Sequence, residues 1–337
     1  MIDIKDLKDK VEYNINKTDK TIIVPHNGVD CDAIASAIGL SLLARKYKKD
    51  SNIVMNDLST SIDSSVVKII ETAKKDFGII NLNKYSSIAS NDDGFILTDV
   101  NKNYLVSVKD YLTNPDNIII IDHHDPDKNT VVSNYKYIDT SYSSASEIVT
   151  QLLCASKVKI PPQIANYLYA GIYLDTSSIS RNIGKETLKT LQKLTECGAE
   201  PDVVSDLFAE SLESLQKVNR LLEKIDSLKW KIAIVTASED EEYVQSEIAK
   251  AADRALKTDV DASFVIGRLE SGEISISGRS KNTINIGSIM GELGGGGGPT
   301  SGATKIQNSN IEEAKQALTR VLRPSYSIVK SCDNKEK

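Results

Sequence analysis

Asn117–His124, NIIIIDHH, carries the strongest structural signal in this chain. Four consecutive isoleucines are too few for an ordinary helix and too apolar for a strand with one wet face. Such a run is a strand buried on both sides, as in a parallel sheet covered by other elements on each face. Asp122, His123 and His124 follow at the point where that strand leaves the sheet. Open α/β sheets place their ligands beyond the carboxyl ends of their strands.

The same pattern recurs upstream. Thr21–Pro25 (TIIVP) reads as a strand and is followed by His26-Asn27-Gly28-Val29-Asp30-Cys31-Asp32. Gly94–Thr98 (GFILT) reads as a strand and is followed by Asp99. Ser51–Met55 is a further strand. Apolar spacing predicts helices over Ala33–Tyr47, Ser64–Lys74, Ser144–Cys154 and Pro162–Tyr173, with Asp175 ending the apolar stretch YLYAGIYL. The N-terminal MIDIKDLKDKVEY is charged and helical in character, without the apolar core of a signal peptide.

Downstream the pattern changes. Residues 186–226 read as helical throughout and have the composition of a connecting segment. A second unit follows, with a strand at Trp230–Ala237 and a helix at Tyr243–Lys257. Strands at Ala262–Leu269 and Glu273–Gly278 turn at Ser271-Gly272. Glycines fill Gly294–Gly298, a helix covers Ile311–Leu322, and a frayed tail begins after Pro324. The expected fold class is α/β with two lobes. A mostly parallel-sheet domain with flanking helices (1–185) joins a smaller α/β domain (227–323) through a helical linker (186–226), and a tail covers 324–337.

Composition sets the limits. The 337 residues are 40% hydrophobic and 26% charged, with a net charge of -6, the balance of a globular chain of about two domains. An acidic chain is poorly suited to wrapping long duplex nucleic acid, and its scattered tyrosines form no platform for long single strands. Cys31, Cys154, Cys197 and Cys332 show neither zinc spacing nor a disulfide framework, so a reducing cytoplasm is expected. No stretch approaches the ~18 apolar residues of a spanning helix, so no membrane association is expected.

All three histidines of the chain, His26, His123 and His124, sit just beyond strand ends, and aspartates crowd the same ends. A single aspartate there is usually an N-cap or turn residue. Parallel strands lie ~5 Å apart, so several carboxylates on neighbouring ends would repel and raise each other's pKa. Divalent cations remove that repulsion. Imidazole plus carboxylate, without thiolate, suits Mn²⁺, Mg²⁺, Fe²⁺ or Zn²⁺. The candidate ligands exceed what one ion with open positions needs. Two ions ~3.5–4 Å apart are the usual device for hydrolysing phosphate esters.

These motifs, H-x-x-x-D-x-D at His26, Asp30 and Asp32, then Asp99, then Asp122-His123-His124, then Asp175, resemble in order those of the DHH phosphoesterase superfamily. The second unit resembles the DHHA1 domain of the same superfamily. ISISGRSKNTINIGSIMGELGGGGGPTSGATKIQ is most similar to the catalytic part of GdpP-type cyclic-di-AMP phosphodiesterases. The resemblance spans about residues 20–320. It implies two manganese ions, with Mg²⁺ or another divalent metal as a substitute. His26, Asp30 and Asp99 would hold one ion; Asp32, Asp99, His123 and Asp175 would hold the other, with Asp99 bridging. It implies that His124 faces the substrate phosphate and that Asp122 orients the histidines.

Arg279, Ser280 and the glycines Gly295, Gly296, Gly297 and Gly298 are the candidate substrate contacts. Arginine can fork onto a phosphate, and glycine backbone can approach an anion closely. The implied substrate is a small nucleotide, cyclic di-AMP or pApA, held in a cleft between the lobes. The superfamily's glycine run ends in histidine, but here Gly298 stands at that position, so altered substrate preference is expected. Ser143, Ser144 and Ser146 before Glu147 are explained by helix capping, and Cys31 is a spacer. The alternatives are a nano-RNase or pAp phosphatase acting on short linear oligonucleotides, a nucleotide sensor without turnover, and a polyphosphatase. A polyphosphatase would carry a basic second lobe. The long helices between the lobes make a homodimer a further expectation.

Overall fold

The computed structural model describes residues 3–56, 63–228, 231–281 and 283–333. The chain divides into two compact units, Met1–Ala209 and Glu210–Lys337. The division falls inside the segment read as a helical linker.

The first unit comprises α1 (Ile4–Lys17), β1 (Thr21–Val24), α2 (Cys31–Lys46), β2 (Ser51–Met55), α3 (Ser64–Ala73), β3 (Ile79–Asn81) and α4 (Leu82–Ser86). It continues with β4 (Gly94–Thr98), β5 (Ile118–Asp122), β6 (Tyr135–Ile138), α5 (Ala145–Ala155), α6 (Pro162–Asp175), α7 (Lys185–Glu196) and α8 (Pro201–Leu207). Its strands lie in the order β3-β2-β1-β4-β5-β6, and every pair is parallel. Strand order reverses between β1 and β4, where Ile23 faces Ile96 and Val24 faces Leu97. That is the switch point at which doubly wound sheets hold ligands.

The isoleucine run explains itself in this setting. Side chains alternate across a strand, so Ile119 and Ile121 enter one core while Ile118 and Ile120 enter another. The first core packs Ile23, Ile53 and Ile96 against α1, α2, α5 and α6 through Leu7, Ile34, Ile38, Ile148 and Leu168. The second packs Ile22, Val24 and Leu97 under Tyr85 of α4 and under Val106, Val108 and Val131 from the connection between β4 and β6. Each fully buried isoleucine contributes about 1.5–3 kcal/mol, which is why no polar residue interrupts the run.

The second unit holds α9 (Leu212–Leu222), β7 (Ile225–Leu228), β8 (Ile232–Thr236), β9 (Glu242–Tyr243), α10 (Gln245–Leu256), β10 (Ala262–Leu269) and β11 (Ile274–Ser280). It ends with α11 (Ile286–Glu292), β12 (Gly296–Gly297), β13 (Ser301–Ile306) and α12 (Ile311–Asp333). Its mixed sheet runs β12-β13-β11-β10-β8-β7, with β9 on the end of β10. The β10–β11 hairpin turns at Ser271-Gly272, with Gly272 at φ +87°.

The structure departs from the sequence reading in several places. Helix gives way at Leu222, and Ile225–Leu228 forms an edge strand against β8, because tertiary pairing overrides local helical pattern. Trp230, read as the start of a strand, lies outside the described residues. Helix α12 continues past Pro324 to Asp333; proline removes one ladder N–H but keeps a helical φ. Strands β3, β6, β9, β12 and β13 went unread, and β3, β9 and β12 are only two or three residues long. Among the described residues, no helix is long and apolar enough to cross a membrane.

Gly171 couples the fold to the strand ends. A Cβ there would lie 2.2 Å from Ser146 Oγ and 2.7 Å from Asp32 Oδ1. Asp175 stands one helical turn further along α6, on the same face. Gly171→Ala is expected to destabilise the protein by about 1–3 kcal/mol through overpacking, read as a lower melting temperature. An unchanged melting temperature would show that α2, α5 and α6 are not tightly packed here.

Candidate metal centre

The site is built from the carboxyl ends of β1, β4 and β5 and from the ends of α2, α5 and α6. After β1, His26 Nδ1 donates to the Asn27 carbonyl at 2.9 Å. This turns Nε2 toward Asp30 Oδ2, at 3.6 Å, and Asp99 Oδ2, at 3.5 Å. Asp30 also caps α2, accepting from Ala33 N at 3.0 Å. The ordinary N-cap role and the chemical role therefore belong to one side chain, on different oxygens.

Asp99 follows β4 in the left-handed region, at φ +56°, a backbone state that is uncommon outside glycine. Its N–H donates to the Ile121 carbonyl at 2.9 Å. The carboxylate is buried and is shared between two groups. Oδ2 faces His26, and Oδ1 lies 3.3 Å from His123 Nε2. His123 Nε2 is also 3.1 Å from Asp175 Oδ2 and 4.0 Å from Asp32 Oδ2.

Asp32 is fully buried. Its two oxygens accept from Ala145 N at 2.7 Å and Ser146 N at 2.8 Å. These are orphan N–H groups at the start of α5, where the helix dipole favours an anion. Ser144 caps the same helix by accepting from Glu147 N, and Ser143 donates N–H and Oγ–H to Glu147 Oε2. The serine cluster thus serves α5.

Asp122 ends β5, buried. Its Oδ1 accepts from His123 N at 2.8 Å, His124 N at 3.2 Å and His124 Nδ1 at 2.9 Å. Its Oδ2 accepts from Asn101 Nδ2 at 2.6 Å, and the same amide donates to the His124 carbonyl at 3.0 Å. Asp122 is consumed in orienting the two histidines. Asn101 was missed by the sequence reading, although a polar residue two positions past Asp99 was its available signal. His124 keeps 57% of its side-chain surface exposed, and its Nε2 is the nitrogen left to meet a ligand.

Burial and neighbouring charges shift six of the groups here. Burial works against charge on His123, but Asp175 and Asp99 outweigh it and lift the imidazole to about 12. Burial likewise opposes charge on His26, and Asp30 and Asp99 raise it well above the usual value. Burial pushes Asp99 upward, and His123 and His26 overcome that and hold it below the carboxylate range. Burial and the neighbouring Asp99 and Asp175 raise Asp32. Burial is the main cause that lifts Asp175 to about 6. The hydrogen bond to Asp122 raises His124.

His26, Asp30 and Asp99 offer ligand atoms within 4.8 Å of one another, as do Asp32, His123 and Asp175, and also Asp99, His123 and His124. Asp99 Oδ1 and His123 Nε2 are buried and have no hydrogen-bond partner of good geometry. Unpaired buried polar atoms are costly, and a cation between them removes the cost. The hard oxygen and imidazole donors fit a divalent first-row ion or Mg²⁺. Cys31 takes no part; it is buried, with Sγ 3.1 Å from Ser65 Oγ.

The candidate substrate contacts lie in the second unit and are more heavily engaged than their sequence suggests. Arg279 Nε donates to Asp253 Oδ1 at 2.8 Å, and its Nη1 donates to the Gly278 carbonyl at 3.0 Å. Ser280 is buried, and its Oγ accepts from Ile284 N at 3.2 Å. Gly296 and Gly297 pair with β13. Gly295 N donates to the Met290 carbonyl and Gly298 N to the Ser301 carbonyl, each at 2.8 Å. Glycine is required where a Cβ on Gly295 would sit 2.2 Å from the Ala303 carbonyl oxygen. Gly298 differs, since a Cβ there meets nothing within 4 Å.

Residues 20–172 match the N-terminal domain of the DHH family, and residues 229–323 match the DHHA1 domain. The chain belongs to the DHH/DHHA1 family. It is 31% identical over 320 residues to the cyclic-di-AMP phosphodiesterase GdpP of Geobacillus thermodenitrificans, covering 93% of this chain and 48% of that one. The chain thus spans about half the length of that relative. It is 25% identical to a probable bifunctional oligoribonuclease and PAP phosphatase NrnA of Streptococcus mutans, over 92% of this chain and 97% of that one. Among solved structures, an exopolyphosphatase-related protein from Bacteroides fragilis superposes with a TM-score of 0.80. It shares 21% identity over 96% of this chain and 97% of that one.

Two outcomes are expected. Asparagine tolerates the left-handed region as aspartate does, so Asp99→Asn tests the charge rather than the backbone. It should abolish tight metal binding in calorimetry; two ions still bound would refute the sharing of Asp99 between two groups. Bound metal also requires neutral imidazole, whereas His123 is held protonated until about 12 and His26 is raised well above its usual range. Manganese binding at neutral pH should therefore release at least about one proton and tighten as pH rises. Calorimetry in buffers of different ionisation enthalpy reads this directly, and binding without proton release would contradict it.

Proposed function

We propose that this protein is a metal-dependent phosphodiesterase that hydrolyses cyclic dinucleotides, converting cyclic di-AMP to pApA. The observation that carries the reading is Asp99, strained into the left-handed region with one oxygen facing His26 and the other facing His123. His26, Asp30 and Asp99 would hold one Mn²⁺ or Mg²⁺, and Asp32, Asp99, His123 and Asp175 a second. When bound, such a pair lowers the pKa of water and neutralises phosphate charge.

The chain's own groups do the rest. Asp122 fixes the His124 ring through Nδ1 and favours its protonated form. Nε2 of His124 then gives its proton to the departing O3′ as a water oxygen, its own proton released to solvent, bonds phosphorus and the P–O3′ bond breaks. Asp32 is clamped at the start of α5, both its oxygens held by backbone N–H groups beside the site. The second unit supplies nucleotide recognition through the surface around Arg279 and the glycine run.

A second reading has its own support. The match to NrnA covers nearly all of that relative, and the loss at Gly298 of the histidine that ends the superfamily's glycine run weakens the preference for a cyclic substrate. Under this reading the protein is a nano-RNase or pAp phosphatase acting on linear nucleotides.

Chromatography of products formed with Mn²⁺ from cyclic di-AMP, pApA and pAp separates the two. Conversion of cyclic di-AMP to pApA, blocked by a chelator, is the expected outcome. AMP from pApA with cyclic di-AMP untouched would transfer the protein to the second reading. A Cβ at Gly298 meets nothing within 4 Å, and Gly298→His should tighten nucleotide KM by roughly tenfold, the value of one hydrogen bond to a charged group. An unchanged KM would show that the neighbouring backbone does the work of the absent imidazole.

A further inference from the structure

The site as described leaves one charge unmatched. Asp30, Asp32, Asp99 and Asp175 balance two divalent cations, and Asp122 is balanced by a protonated His124. A cyclic dinucleotide brings two phosphates, and a linear pNpN brings a terminal phosphate beyond its diester. One phosphate meets the metal centre. The other is not met by that centre and gains from a cation supplied by the protein. On the strand-end loops, Lys102 is already engaged, 3.1 Å from Asp127 Oδ2 and 2.6 Å from the Asp125 carbonyl.

The chain beyond Asp175 carries a further arginine, Arg181. Ser177, Ser178 and Ile179 are all left-handed, at φ 50°, 62° and 58°. That state is unfavourable for serine and more so for a β-branched isoleucine. The consequence is a reversal of direction. Ser180 N and Arg181 N both donate to the Thr176 carbonyl, at 2.8 and 2.9 Å. Thr176 is itself buried and fixed, donating Oγ1–H to the Ile172 carbonyl at 2.6 Å and accepting from Ile179 N at 3.1 Å. An ordinary extended exit from α6 would carry Arg181 away. The left-handed run instead ties its backbone to the residue adjoining Asp175. Arg181 is exposed, and among the described residues its guanidinium has no hydrogen bond or ion pair.

The geometry points to Arg181 as the residue that recognises the second phosphate of a two-phosphate nucleotide, acting in specificity rather than in bond cleavage. This rests on the phosphodiesterase reading above. A guanidinium suits the task because its fork matches two phosphate oxygens and its charge never titrates.

The test compares cyclic di-AMP with bis(p-nitrophenyl) phosphate, a diester that has no second phosphate, in the manganese-loaded full chain. Arg181→Ala should raise KM for cyclic di-AMP about tenfold or more with kcat far less affected, and its loss on bis(p-nitrophenyl) phosphate should be at least about tenfold smaller. Arg181→Lys, which keeps the charge without the fork, should fall between. Calorimetric affinity for the bis-phosphorothioate analogue of cyclic di-AMP should fall in parallel with the KM change. Equal losses on both diesters would assign Arg181 to the fold and overturn the inference, as would an unaltered KM for cyclic di-AMP. If the wild type cleaves pApA alone, the same comparison with pApA applies, its terminal phosphate being the second one. If it cleaves only the chromogenic diester, the nucleotide reading and this inference fall together.

Discussion

Parallel pairing of β1 with β4 brings the end of one strand, with His26 and Asp30, beside the end of another, with Asp99. This single adjacency sits at the reversal of strand order in the sheet, and much of the first unit serves to make it tolerable. Like charges on neighbouring strand ends repel, and burial magnifies that repulsion. The structure answers with imidazoles placed between carboxylates, with helix N-termini placed under them, and with Asp99 forced into a strained backbone state so that its two oxygens face opposite ways.

The two carboxylates deepest in the site are managed differently. Asp32 is held by the first N–H groups of α5, whose dipole offsets part of the cost of burying its charge. Asp122 is held by two backbone N–H groups, the His124 ring and the Asn101 amide. Its hydrogen-bonding capacity is largely spent before any ligand arrives. Burial and hydrogen bonding thus divide a crowd of similar aspartates into those that face the ligand position and those that orient other groups. Gly171 makes the arrangement feasible by removing the side chain that would separate α6 from Asp32 and α5.

In the second unit the glycine run serves close backbone packing. Gly295 and Gly297 sit against the Ala303 and Ser301 carbonyls of β13, and α11 is capped at Asn285 and donates to the Gly298 and Pro299 carbonyls through Gly287 and Ile286. Glycine content that reads as an anion cradle in one dimension is therefore also the means by which a hairpin and a short helix approach each other.

What was legible in the sequence was whatever short-range physics dictates. Four isoleucines in a row, too short a run for an ordinary helix, read as a doubly buried strand, and the positions of β1, β4, β5, α2, α5 and α6 followed to within a few residues. The histidines and aspartates of the site were legible because each immediately follows such a strand or ends such a helix. The short strands β3 and β6 and the edge strand β7 were not, since their pairing comes from neighbours distant in sequence. Tertiary structure alone decided the strand order, and with it which strand ends touch. It decided that Asp99 stands between two histidines, that Asn101 supports Asp122, and that Arg279 is paired with Asp253. It also decided that a left-handed run ties the Arg181 N–H to the Thr176 carbonyl. Each of these depends on distances between residues far apart in the chain or on a backbone state that no local preference would choose.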